Sequence, residues 1–438
     1  MSEIHTSDNS VSQRIQPARN ISGSLRMPGD KSISHRYAML AAFASGESTI
    51  ENYATGEDCA STLRCVETLG ARVLRGSGGE LRIGGRAGEF TPPDAHLDCG
   101  NSGSTMRMLA GLLAGQTGSF TLAGDASLNR RPMQRVATPL IQMGAEVALT
   151  DGHAPIQLRG GRLLAIDYTP PVPSAQVKSA VLFAGLQADG ETTVRESVRT
   201  RDHSELALRA FGAQLERTID TVTIRGAQTL RGIDAVVPGD ISSAAFFLCA
   251  ALLFPASNLL LDDLGLNPTR AALLDVLTAL GLRIGVLKME ERHGELVGTL
   301  HAQGALDGPI GAEISGSLAA QLIDELPVLA AIAPYTQNGV RIRDARELRV
   351  KESDRIALVA KNLRAMGAEV VEHEDGLDVP GQQALHGAAI ETGGDHRIAM
   401  AFSVAALRAE GDTEIRGAEC AAVSFPEFYS HLAAVSEY

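Results

Sequence analysis

The sequence predicts an α+β protein of two similar domains, each made of three repeated α/β units. The first observation is a recurring segment in which a helix-like stretch ends in an apolar residue and a glycine, then a short strand. It occurs at Leu69-Gly70-Ala71, Met143-Gly144-Ala145, Phe211-Gly212-Ala213, Leu280-Gly281-Leu282 and Met366-Gly367-Ala368. Each glycine reads as a helix terminator in the left-handed conformation. The second observation is the spacing of these glycines, 74, 68, 69 and 86 residues. Self-similarity at a near-constant period marks a repeat architecture. The third is a longer period: Pro28-Gly29-Asp30 returns as Pro238-Gly239-Asp240, 210 residues on, and Gly70 and Gly281 are 211 apart. Three units are therefore duplicated. The expected first domain is 27–237; the second is 238–438, with 1–26 joining it as a strand.

Composition limits the function. A chain of 438 residues, 44% hydrophobic and 21% charged, can bury at least two large cores. Residues 1–14 are polar, so no signal peptide is expected. The longest apolar run, Ala244–Phe254, is shorter than a membrane span and reads as a buried helix. Five cysteines (Cys59, Cys65, Cys99, Cys249, Cys420) are scattered with no CxxC, which fits a reduced, cytoplasmic protein without a structural metal. A net charge of -13 argues against a nucleic-acid partner. Any anion site must be a local basic pocket.

The elements follow in order. In "MPGDKSISHR" the apolar positions Ile33, Tyr37, Leu40, Ala41 and Ala44 have helical spacing, so Lys31, Ser32 and Arg36 fall in the loop and first turn. Free N–H groups and the helix dipole favour an anion there; ordinary capping is the other reading. The duplicate copy has Ile241 at the place of Lys31 and Ala245 near that of Arg36, which moves both basic residues towards function. His35 is expected on the helix surface. "CGNSGSTMR" is a glycine- and hydroxyl-rich turn opening a helix, where Gly103 lets a ligand approach the backbone. Arg130-Arg131-Pro132 ends a strand–turn segment. "PSAQVKSA" supplies Ser174, Gln176 and Lys178 at another helix start. "TRDHSE", "RVKESDR" and "GDHRIAM" bring Arg201, His203, Lys351, Glu352, Arg355, His396 and Arg397. Such runs are often solvated, but arginine forks suit carboxylate and phosphate. Asp324 and Glu325 interrupt the apolar stretch "LAAQLIDELPVLAAIA" and are either paired structural charges or a base near the core.

Eight motifs, "PGDKSISHR", "GNSGSTMR", "RRPM", "PSAQVKSAV", "RDHSE", "LIDELPVLA", "RVKESDR" and "DHRIAM", stand in the order in which they occur in 5-enolpyruvylshikimate-3-phosphate synthases. The resemblance runs from about Ile21 to Phe428, and "SAQVK", "RDHSE" and "NPTR" (Asn267–Arg270) resemble the second of that family's two sequence classes. It implies the enolpyruvyl transferase fold, two inside-out barrels of three units closing at a double hinge. It also implies transfer of the enolpyruvyl group of phosphoenolpyruvate to the 5-hydroxyl of shikimate 3-phosphate, with phosphate released and no cofactor or metal required. By the same resemblance Lys31 meets phosphoenolpyruvate and moves a proton, Asp324 is the base at the 5-hydroxyl, and Glu352 is the acid/base at C3. Ser32, Arg36, Ser174, Ala175, Gln176, Lys178, Arg201 and Lys351 fall on substrate-binding positions, mainly for shikimate 3-phosphate. Gly103, Arg131, Arg355 and Arg397 fall on phosphoenolpyruvate positions. Val423 stands where one branch has a lysine, so no ligand is expected there. Gly103 is alanine in some glyphosate-tolerant members, so tolerance does not follow from this sequence. A monomer is expected.

The rival from the same fold is a UDP-N-acetylglucosamine enolpyruvyl transferase, which uses a loop cysteine shortly before an Arg-Pro pair. Residues 124–130 contain none. A P-loop phosphotransferase is disfavoured because Asp30 breaks the glycine–lysine adjacency. A repeat scaffold without activity gives no reason for Lys31 and Arg36 to stand in one copy alone.

Overall fold

The computed structural model describes residues 11–438. The first ten residues of the expected 1–26 segment lie outside the described residues. Six small sheets, each backed by helices, share one plan. In each, one pair of strands runs parallel and the rest pair antiparallel. Asp234–Val236, Leu97–Asp98 and Asp167–Tyr168 lie parallel to Glu47–Glu51, Gly118–Ala123 and Glu191–Arg195. Ala312–Ile314, Asn20–Arg26 and Ala389–Glu391 do the same against Val340–Ile342, Asn258–Gly265 and Thr413–Arg416. The sixth sheet takes its antiparallel strand, Gln13–Ile15, from the start of the chain. That unit is closed by a distant segment, which is why five glycine-terminated copies are found in the sequence and not six. All five repeat glycines have positive φ, from +90° at Gly367 to +107° at Gly281, where a side chain would be strained.

Two separate apolar cores form. One runs from Ile33 to Val237; the other joins Ile15–Met27 to Ile241–Val435. The Ile241–Leu253 helix is buried along its whole length. Phe247 on it packs against Phe425 and Phe428 at ring separations of 6.0 and 5.8 Å, and truncating such a residue costs about 3–5 kcal/mol.

The chain passes between the two cores twice, side by side. Asp30 N donates to Pro238 O (2.7 Å) and Asp240 N to Pro28 O (2.9 Å). A Cβ on Gly29 would collide with the Asn52 carbonyl, so only glycine fits this crossing. Each aspartate then caps the helix it precedes: Asp30 Oδ1 accepts from Ile33 N (2.9 Å) and Asp240 Oδ1 from Ser242 N (2.8 Å). No described helix is long and apolar enough to cross a membrane.

Candidate active site

A cavity of about 420 Å³ lies between the two cores. Five long central helices begin at its wall: Lys31–Phe43, Gly103–Ala114, Ala175–Gly185, Ile241–Leu253 and His396–Ala406. Their N-terminal amides and dipoles make the space favourable to anions before any side chain is counted. The repeat explains the convergence, since five of the six units each bring such a helix N-terminus to the cavity.

Side chains add to that field. The lining holds eleven lysines and arginines against six carboxylates, a surplus of five positive charges, while the whole chain carries -13. Fourteen of the fifteen residues expected at the site line the cavity: Lys31, Ser32, Arg36, Gly103, Arg131, Ser174, Ala175, Gln176, Arg201, Asp324, Lys351, Glu352, Arg355 and Arg397. Lys178 does not. It faces inward, 1% exposed, with Nζ 2.9 Å from Glu196 Oε2 and 2.8 Å from Glu205 Oε1. His35 also departs from expectation. It is fully buried, with Nδ1 2.6 Å from Thr62 Oγ1, because the neighbouring Glu57–Thr68 helix covers that face.

Lys31 sits at the mouth of the first helix with Nζ 3.0 Å from Asp58 Oδ2. Burial works against its charge, but Asp58 and then Glu352 favour it, and the ammonium titrates above its ordinary value. Arg36 is held by neutral partners: Nε donates to Ser204 Oγ (2.6 Å), one Nη to Ser179 Oγ (2.8 Å) and the other to Ser32 O (2.8 Å). Burial brings its guanidinium down to about 10, which still leaves it charged at neutral pH.

The acids come from the other side of the cavity. Asp324 Oδ2 accepts from Arg201 at 2.6 Å, while Lys351 and Arg355 lie 3.6 and 3.7 Å from Oδ1. Burial alone would raise its pKa; Lys351, Arg397 and Arg201 outweigh burial and hold it well below the carboxylate range. Glu352 accepts from Arg355 at 2.6 Å and lies 3.4 Å from Arg131 Nη1. It is half-buried; desolvation alone would raise its pKa, but Arg355 and then Arg131 hold it well below its usual value. Arg355 is fixed from behind by Asp395 at 2.8 Å. Arg397 donates to Asp324 O (2.6 Å) and Ser242 Oγ (3.0 Å). Among the described residues three arginine–carboxylate pairs thus bridge the two cores, Arg131–Glu352, Arg201–Asp324 and Arg135–Glu347, and His203 Nδ1 meets Glu295 Oε1 across them at 2.7 Å.

Sequence reasoning passed over Asp58 and Arg107, and named His396 without giving it a role. Arg107 donates to Gln176 Oε1 (2.7 Å), and Gln176 donates in turn to Ser104 Oγ (2.9 Å). Arg107 lies four residues after Gly103, hence on the same helix face, a signal the sequence did carry. His396 has no hydrogen-bond partner on either ring nitrogen, and burial, then Lys31, push it to about 3, so it is neutral. Among the described residues no group of three or more His, Cys, Asp or Glu is placed to hold a metal ion.

Comparison with known proteins places the chain among known relatives. Two relatives named 3-phosphoshikimate 1-carboxyvinyltransferase match nearly end to end. That of Koribacter versatilis is 61% identical over 97% of this chain and 99% of its own. That of Solibacter usitatus is 52% identical over 98% and 100%. The solved EPSP synthase of Acinetobacter baumannii superposes with a TM-score of 0.85 at 37% identity, covering 97% of this chain and 98% of that one. The enolpyruvyl transferase NikO of Streptomyces tendae, at 20% identity and a TM-score of 0.77 over 96% of both chains, shares the fold. The profile of EPSP synthase (3-phosphoshikimate 1-carboxyvinyltransferase) matches residues 15–432, and the chain belongs to that family.

Proposed function

We propose that this cavity transfers the enolpyruvyl group of phosphoenolpyruvate to the 5-hydroxyl of shikimate 3-phosphate and releases phosphate. The observation that carries the reading is the surplus of five positive charges around two ionised carboxylates. Two substrates bearing a phosphate and a carboxylate each would balance that surplus.

The chemistry needs a base at the hydroxyl, an acid/base at C3 of the donor and cations for the anionic groups. Asp324 takes the hydroxyl proton as the oxygen attacks C2, while C3 gains a proton. The resulting tetrahedral centre then expels phosphate as C3 gives up a proton, restoring the double bond. Glu352 and Lys31 serve the proton transfers at C3. Arg131, Arg355 and Arg397 grip phosphoenolpyruvate beside Gly103. Ser32, Arg36, Ser174, Ala175, Gln176, Arg201 and Lys351 hold shikimate 3-phosphate. Substrate phosphates would replace Asp324 and Glu352 as partners of Arg201, Arg131 and Arg355. Losing those cations raises the pKa of each carboxylate, so both become better bases once substrates are in place.

We read 27–237 and 238–438, with the described part of 1–26, as the two closing bodies. The crossing at Pro28–Asp30 and Pro238–Asp240 is their double hinge. We also take the protein to be monomeric and cytoplasmic. The nucleotide-sugar alternative is weakened by the cysteines. None lines the cavity, and Cys59, which packs its thiol 3.7 Å from the Lys31 carbonyl, is buried with its pKa pushed well up.

The test is phosphate release from phosphoenolpyruvate with shikimate 3-phosphate or UDP-N-acetylglucosamine as acceptor. Release with shikimate 3-phosphate alone is expected. Release with the nucleotide sugar alone would overturn the acceptor assignment.

A further inference from the structure

We propose that Lys178 is a positioning residue that fixes the backbone at Thr200–Arg201, and through it the grip on shikimate 3-phosphate. This rests on the reading of Arg201 as a phosphate ligand. Lys178 is almost fully buried on the Ala175–Gly185 helix and has two carboxylate partners, Glu196 and Glu205. Glu196 uses its second oxygen for the chain: Oε1 accepts from Thr200 N at 2.9 Å and from the Thr200 hydroxyl. The segment between the Glu191–Arg195 strand and the His203–Ala210 helix is therefore pinned one residue before Arg201. Arg201 then extends to Asp324 at 2.6 Å.

Chemistry explains why the anchor must be a cation. Two carboxylates brought close together repel each other. The Lys178 ammonium, 2.9 Å from Glu196 and 2.8 Å from Glu205, offsets that repulsion and leaves the other Glu196 oxygen to accept from the Thr200 amide. The same ammonium ties together three pieces of the site. Gln176 is on its own helix. Arg201 follows the Glu196 clamp. Glu205 lies on the helix whose Ser204 receives Arg36 Nε at 2.6 Å. A loop arginine left to move would lose the alignment on which phosphate recognition depends.

Glu196→Ala and Thr200→Val in the full chain test this, by steady-state phosphate release with each substrate varied in turn. Thermal unfolding reports the fold separately. Glu196→Ala should raise KM for shikimate 3-phosphate at least tenfold, with KM for phosphoenolpyruvate within twofold and kcat within threefold. Thr200→Val keeps the backbone bond and should raise the first KM about threefold. Both KM values within twofold of wild type, with a lowered melting point alone, would make the cluster structural and overturn the proposal. If Glu196→Ala does not fold, Thr200→Val decides by the same criterion. No turnover by the wild-type chain overturns the Arg201 reading, and the proposal with it.

Discussion

Glu352→Gln is the sharpest perturbation of the proposed chemistry because the site can absorb it structurally. Glu352 lies 2.6 Å from one Arg355 nitrogen and 3.4 Å from Arg131. The amide keeps the volume and one acceptor oxygen. Arg355 keeps Asp395 at 2.8 Å, and Arg131, which pairs with no other carboxylate among the described residues, keeps its 2.6 Å bond to Asn101 Oδ1. The melting point should change little. The loss falls on proton transfer at C3, where a positioned acid/base is worth about 10²–10⁴-fold, or about 3–5 kcal/mol of barrier. Removing a negative charge beside Arg131 and Arg355 strengthens their field, so KM for phosphoenolpyruvate should hold or fall. Single-turnover and steady-state phosphate release, with calorimetric binding of shikimate 3-phosphate, give kcat, KM and affinity separately. The pH profile adds a sign. Because the arginines depress Glu352 in the free site, its carboxylate persists as pH falls, and kcat/KM should lose activity from this group below the ordinary glutamate range. In the complex the anions of the donor occupy the arginines, and the acid limb of kcat should lie at higher pH. A kcat within threefold of wild type would remove Glu352 from the mechanism. So would weakened shikimate 3-phosphate binding with the chemistry intact.

Lys31→Met should abolish turnover in phosphate-release assays while circular dichroism shows an unchanged fold, because Lys31 is partly exposed and makes one ion pair. Near-normal activity would exclude it. Asp58→Asn removes the group that most favours the Lys31 charge, so the alkaline limb of kcat/KM should move to lower pH; an unmoved limb would assign that limb to another group. Asp240 is pushed up to about 6, first by burial and then by Asp30. Its stabilising share is present below pH 3.8 and is lost as pH rises through 6. Denaturant unfolding should find Asp240→Asn gaining on wild type across that window by about 3 kcal/mol. A difference that does not vary with pH would refute the shift.

The duplicated plan was legible because its signals are local. The repeat glycines stop helices through backbone geometry that no tertiary contact alters, and Asp30 and Asp240 cap helices in the register their sequence suggests. Lys178 lies off the cavity wall, and the sequence carried a signal for that. It stands two residues after Gln176, a rotation of roughly 200° on a helix, so the two face opposite ways. His35 was not legible, since the Thr62 that covers it comes from another helix. Asp58 read as an ordinary first-turn acid; that it would meet Lys31 depends on how the Glu57–Thr68 helix packs.

Electrostatics links these residues into one device. Eleven cations around one pocket repel one another, and the protein's own six acids cut that to a surplus of five. Arg201, Lys351 and Arg355 surround Asp324; Arg131 and Arg355 surround Glu352. The carboxylates proposed to move protons are thus the counterions of the arginines proposed to bind substrate. Each arriving phosphate releases a carboxylate from its cation and raises that group's proton affinity. Acid–base competence therefore follows occupancy, and neither carboxylate need be a strong base while the site is open. A site in which these roles were carried by separate residues would lose that coupling, and its acid limb would be the same for free enzyme and complex.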